Sequence, residues 1–157
     1  MERIQRRLEK FLDKYPLTLA WRIKKHAKIL ETHVNPDEDV LYAFCGQKKL
    51  FGKNFLSYGT YCAVITTDRL LLASKNLFVG YQLISITPDM FNDLSVKSGL
   101  IWGSISIDTI KELVIFSYLQ NKALPEVETA ISQYMMKKKK EYKEVRTNKE
   151  NNDHKEC

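Results

Sequence analysis

Apolar residues recur every three to four positions over the first thirty residues, switch to near-alternation through the middle of the chain, and return to helical spacing after Asn121. Ile4, Leu8, Phe11, Leu12 and Tyr15 form one stripe, with Arg3, Arg6, Arg7, Lys10 and Lys14 between them, which predicts a basic amphipathic helix. Pro16 ends that helix and is placed to begin a second, whose stripe is Leu19, Ala20, Ile23, Ala27 and Leu30, up to about Thr32. Asn35-Pro36-Asp37 breaks the pattern, because the residue before a proline is pushed out of the helical basin. From Asp39 the period predicts seven short strands, at about 39–46, 60–66, 69–74, 80–87, 93–98, 101–108 and 111–117. Gly46, Gly59, Thr67-Asp68, Asn76, Pro88, Gly99 and Thr109 mark the turns. The sixth is the clearest: Ile101, Ile105 and Ile107 with Gly103 face one way, and Trp102, Ser104, Ser106 and Asp108 the other. Leu124, Val127, Ile131, Tyr134 and Met135 then predict one closing helix, with Pro125 tolerated in its first turn. Beyond Arg146 no apolar residue precedes Cys157, and the expectation there is a frayed tail.

Length and charge narrow the picture. At 157 residues the chain suits one core with extensions and needs no disulfide or metal to fold. The net charge of +6 is uneven: residues 1–30 carry +6, 31–134 carry −3 and 135–157 carry +3, so electrostatic roles point to the flanks. No stretch reaches the roughly 20 apolar residues of a membrane span. The N-terminus lacks the apolar core of a signal peptide, which sets a cytoplasmic location as the expectation. Cys45, Cys62 and Cys157 are an odd set without CxxC spacing, as expected of free thiols in a reducing compartment.

Seven antiparallel strands followed by one helix is the element order of the pleckstrin-homology (PH) superfold. The segment Ala63-Val64-Ile65-Thr66-Thr67-Asp68-Arg69-Leu70-Leu71-Leu72 resembles the hairpin of bacterial PH-like domains, and Leu77-Phe78-Val79-Gly80 is similar to their following turn. Residues 93–107, with Gly99-Leu100-Ile101-Trp102-Gly103, resemble the family's glycine-bearing hairpin. Over about residues 38–136 the chain resembles the YokE-like bacterial PH domains. The resemblance implies a seven-stranded antiparallel bent sheet or barrel capped by the C-terminal helix, and with the two N-terminal helices read from the periodicity the expected fold is mostly β (α+β). Pattern and resemblance together divide the chain into a basic helical segment (1–34), the PH-like domain (38–136) and a basic polar tail (137–157). Its motifs are structural. Thr-Asp-Arg fixes a turn, and Gly99 and Gly103 permit a tight turn and close strand approach.

Catalytic and metal chemistry find little footing. His26, His33 and His154 lie outside the predicted barrel without a spaced nucleophile and carboxylate, so neither a triad nor any other enzyme is expected. His26, among Lys24, Lys25 and Lys28, reads as a solvated surface residue. His26 and His33 lack the further ligands of a zinc site, and no metal or cofactor is expected. The glycines at 99 and 103 lack the P-loop spacing and lysine. Asp37, Glu38 and Asp39 read as solvated loop acids.

The informative segment is the first inter-strand connection, 47–58. Lys48, Lys49 and Lys53 resemble in place the lysines of phosphoinositide-binding PH domains, but the Lys/Arg-x-Arg phrase that completes such a site is missing. Phe51, Phe55 and Leu56 stand among them. The segment admits docking on an anionic membrane, contact with a protein, or folding back under the N-terminal helices. The basic flanks add Arg3, Arg6, Arg7, Lys10, Lys24, Lys25, Lys28 and Lys137, Lys138, Lys139 and Lys140, with no nucleic-acid-reading motif among them. The reading is a non-catalytic binding or scaffold module for a protein partner or its own copy. The alternative is a peripheral protein on the inner membrane face that binds anionic lipid through the first loop and basic helices. A nucleic-acid accessory role ranks third.

Overall fold

The computed structural model describes residues 2–48 and 59–153. Helices α1 (Glu2–Lys14) and α2 (Ile23–His33) precede strands β1 (Val40–Lys48), β2 (Thr60–Thr66), β3 (Leu70–Lys75), β4 (Tyr81–Ile86), β5 (Phe91–Ser98), β6 (Trp102–Thr109) and β7 (Leu113–Gln120), and α3 (Leu124–Asp153) follows. The strands form one curled antiparallel sheet in the order β4-β3-β2-β1-β7-β6-β5. All seven expected strands exist, and the fold is PH-like.

Register sorts the residues of the sheet by face. Phe44, Ala63, Leu72 and Ile84 stand opposite one another across β1 to β4, and Ile65, Leu70 and Ile86 do the same one pleat away. Ile105 and Ile107 of β6 align with Phe116 and Val114 of β7. All of these are buried. The Phe44 and Phe116 rings meet with centroids 4.9 Å apart, and Tyr61 lies 5.5 Å from Phe116, so both halves of the sheet close on one core. Val127, Ile131 and Met135 of α3 are buried in the same core. The opposite face of β1 to β3 carries Ala43, Cys45, Cys62, Val64, Leu71 and Ala73, all buried. Helix α2 packs on β2 and β3. Two covered faces explain why β2 and β3 read as unbroken apolar runs. Cys45 and Cys62 are register partners with free thiols, and burial pushes the Cys62 thiol up.

Among the described residues, strands β1 and β7 pair through Gln47 and Lys48 with Ser117 and Phe116. Helix α1 serves the seam they leave: its Phe11 ring lies 6.4 Å from Phe44, and Tyr15 donates to Glu126 of α3 at 2.5 Å. Tyr42 donates to the same carboxylate at 3.0 Å, and Lys14 pairs with it. Burial raises the Glu126 pKa, but the hydrogen bonds from Lys14, Tyr15 and Tyr42 outweigh it and hold the carboxyl below its ordinary value.

Two turns are built alike. In Thr66–Arg69 the threonine hydroxyl accepts from the Asp68 and Arg69 amides and donates to the Arg69 carbonyl. In Thr109–Glu112 it accepts from Lys111 and Glu112 and donates to the Glu112 carbonyl. At Gly103 a Cβ would sit 2.5 Å from both the Lys97 carbonyl oxygen and Leu124 Cδ1, where β6, β5 and α3 converge. Gly103→Ala is expected to cost about 2 kcal/mol through overpacking. A denaturation midpoint unchanged from the parent would refute that.

The second helix begins at Ile23, not near Pro16, and this corrects the expectation from sequence. Residues 16–22 have other partners. Leu17 N–H donates to Gln120 Oε1, Leu19 N–H to the Tyr118 carbonyl and Trp21 N–H to Thr60 Oγ1. Thr18 Oγ1 accepts from Gln120 N–H, and the Leu19 carbonyl from Gln47 Nε2. After a turn in which the Thr18 amide donates to the Tyr15 carbonyl, the segment is a strap over β7, β1 and β2, and the amides of Leu17, Leu19 and Trp21 are satisfied by the sheet instead of by helical bonds. The helix expected to fray beyond Arg146 continues to Asp153.

Candidate functional site

Of the first-loop candidates, Lys48 is described, at the end of β1. It is half-buried, with its ammonium bound to Gln82 Oε1 and 5.1 Å from the Tyr61 ring centroid. Burial lowers its pKa, opposed by Glu112, and burial pushes the Tyr61 hydroxyl up to about 12. This lysine is a structural bridge from β1 to β4. Lys49, Phe51, Lys53, Phe55 and Leu56 lie outside the described residues.

The basic flanks divide. Arg3 pairs with Asp39 at 3.4 Å, and Arg7 donates to the Leu41 carbonyl. Lys138 pairs with Glu141, and Lys139 lies over the Phe91 ring. Arg6, Lys10, Lys137 and Lys140 are exposed on their helices, as are Lys24, Lys25 and Lys28 on α2.

Two residues read as solvated are interior. His26 is 1% exposed, and its Nδ1 accepts the Lys75 amide at 2.8 Å. An Nδ1 that accepts carries no proton, so the ring is neutral. Burial lowers its pKa to about 4, with the Arg22 charge acting in the same direction and the Trp21 backbone opposing. Glu38 is buried against Arg69, whose Nε and Nη2 donate to Oε1 at 3.1 and 2.9 Å. Arg69 Nη2 also donates to the His33 carbonyl, and Asn35 Nδ2 to Glu38 Oε1 at 2.6 Å. The arginine of the β2–β3 turn thus joins α2 and the α2–β1 connection to the sheet. Among the described residues, no three His, Cys, Asp or Glu side chains cluster as metal ligands, and no helix is long and apolar enough to cross a membrane.

Large apolar side chains are exposed at several places among the described residues, Leu100 of the β5–β6 turn and Ile110 of the β6–β7 turn included, and in two of these places they are held by a distinctive local backbone. The first lies where the strap crosses β7. Ser117 and Tyr118 of β7 bulge between the pairs Gly103–Leu119 and Ile105–Phe116. Tyr118 adopts φ +53°, in the left-handed region that a tyrosine enters at a cost. Its ring lies 5.8 Å from Trp102, edge to face, and Trp102 Nε1 donates to the Leu17 carbonyl at 2.6 Å. Leu17, Leu19, Trp102 and Tyr118 are all exposed. The second is the β3–β4 turn, where Leu77, Phe78 and Val79 are 67%, 80% and 83% exposed. The signal for that turn was present in the sequence: three large apolar residues between Asn76 and Gly80, where polar turn residues are usual.

A single curled seven-stranded antiparallel sheet with a helix after its last strand defines a PH-like domain. Residues 34–133, more than half of the chain, match the model of the bacterial PH domain family, and the chain belongs to that family. No curated protein and no solved structure matches it.

Proposed function

We propose that this bacterial PH domain is a non-catalytic scaffold module that pairs with a second copy of itself through Leu17, Leu19, Trp102 and Tyr118. The observation that carries this is the bulge at Tyr118. Bulges re-aim side chains, and this one spends backbone strain to turn an aromatic ring outward beside a tryptophan. Tryptophan and tyrosine dominate the energetics of protein interfaces. The patch is also rigid, because five hydrogen bonds tie the strap to Thr60, Gln47, Tyr118 and Gln120.

A second copy suits it on grounds of charge. Two chains of +6 repel where their basic flanks meet. The exposed members of this patch, Leu17, Leu19, Trp102 and Tyr118, are uncharged, so a contact centred on them brings no charge from either copy into its centre. Sedimentation equilibrium is expected to show a dimer. Leu19→Ser with Tyr118→Asn, the asparagine chosen because it tolerates the left-handed backbone, is expected to raise the dissociation constant by about 30-fold or more. A monomeric parent at high concentration, or a double variant that dimerises as the parent does, would exclude this mode of association.

A further inference from the structure

We propose that the β3–β4 turn is a membrane wedge: Leu77, Phe78 and Val79 enter the acyl region of an anionic bilayer while Arg22, Lys24, Lys25 and Lys75 meet its headgroups. This inference is independent of self-association.

The turn projects three consecutive large apolar side chains, each at least two-thirds exposed. It is held in shape. Gly80 takes φ +79°, the Asn76 amide donates to the Gly80 carbonyl at 3.2 Å, and Asn76 Nδ2 donates to the Val79 carbonyl at 3.1 Å. An apolar tip fixed in advance loses little conformational freedom on insertion.

The charge contributed by α2's start and by the strands that flank the turn has one sign. Arg22 Nη1 donates to the Asn76 carbonyl, so the N-terminus of α2 abuts the base of the turn. His26, one helical turn further along, receives the Lys75 amide, which fixes the first turn of α2 against the end of β3. That first turn carries Lys24 and Lys25, both exposed, and half-exposed Trp21 precedes it. From Lys14 to Leu30 the sequence contains five lysines and arginines and no acid, and from Arg69 to Pro88 it again contains no acid. Cations at this position gain from the negative potential of anionic lipid. Trp21 has the amphipathic character of side chains that settle at headgroup depth. The shape selects lipid over protein: the apolar residues form a protruding tip, which a fluid bilayer accommodates and a protein partner meets only with a matching pocket.

The test is co-sedimentation with phosphatidylglycerol–phosphatidylcholine vesicles against pure phosphatidylcholine vesicles. The parent is expected to bind the anionic vesicles and not the neutral ones. Phe78→Ser/Val79→Ser is expected to weaken that binding about tenfold or more through lost insertion. Lys24→Glu/Lys25→Glu is expected to weaken it to a similar degree through lost attraction. Phe78→Trp carries the direct readout: its added fluorescence should be quenched by brominated acyl chains. All these positions are exposed, and an unchanged melting midpoint verifies that each variant is folded. No binding to either vesicle, equal binding to both, unaltered binding by the serine variant, or an unquenched tryptophan at 78 would each overturn the wedge. An acidic protein as the true occupant would show itself as the first of these.

Discussion

Arg69→Ala is expected to destabilise the protein by about 3–5 kcal/mol, because it strands the buried Glu38 carboxylate without its cation. Three attachments are lost together: the two-pronged contact with Glu38, the bond to the His33 carbonyl at the end of α2, and the longer contact with Ser85 of β4. The remaining partner of Glu38, Asn35, is neutral and does not replace the charge. Replacing both members with apolar residues, as in Glu38→Leu/Arg69→Met, should recover much of the loss, since the penalty lies in the orphaned charge more than in the pair itself. Urea denaturation of the single and double variants separates the two contributions. A single variant within about 1 kcal/mol of the parent would show that Glu38 is solvated after all.

Acid is expected to weaken the fold through His26. Its folded pKa, near 4, lies below the ordinary histidine value of 6.5, so the unfolded chain takes up the proton first. Stability from this residue is therefore fully present above about pH 6.5 and declines as the pH falls towards 4, by about 2–3 kcal/mol. Protonation at Nδ1 also abolishes the acceptor for the Lys75 amide and places a cation in the interior beside Arg22. His26→Gln retains an acceptor and has nothing to titrate, so the difference in pH slope between variant and parent isolates the histidine from the carboxylates. Identical slopes between pH 7 and pH 4 would sink this account.

The elements were legible in the sequence and several partners were not, for physical reasons. Strands β5 and β6 alternate because only one face packs inward. Strands β2 and β3 do not alternate, and were recognisable only because Thr66–Arg69 interrupts the apolar run with a turn. The start of α2 was misplaced because Pro16 and the apolar spacing from Leu19 satisfy helix rules equally well. What decides the matter is tertiary, the strap's bonds to Gln120, Tyr118 and Thr60. His26 is three residues after Ile23 and four before Leu30, on the buried stripe, yet its lysine neighbours made it read as surface. Glu38 is two residues before buried Val40, a strand-period hint that three adjacent acids concealed. Among the candidate surfaces, Tyr118 left no trace in the pattern, because a bulge changes direction without changing composition.

The Glu126 cluster has a consequence for how the chain is made. Tyr15 and Glu126, 111 residues apart, share one hydrogen bond, and the buried residues of α3 reach Met135. During synthesis, α1 and the first four strands leave the ribosome long before the helix that completes their interior. Until then the Phe44 side of β1 has Phe11 of α1 beside it but neither Phe116 nor α3 against it. Completion of the interior is thus expected late, and the nascent sheet is expected to be most prone to aggregate in the interval before its cap is made.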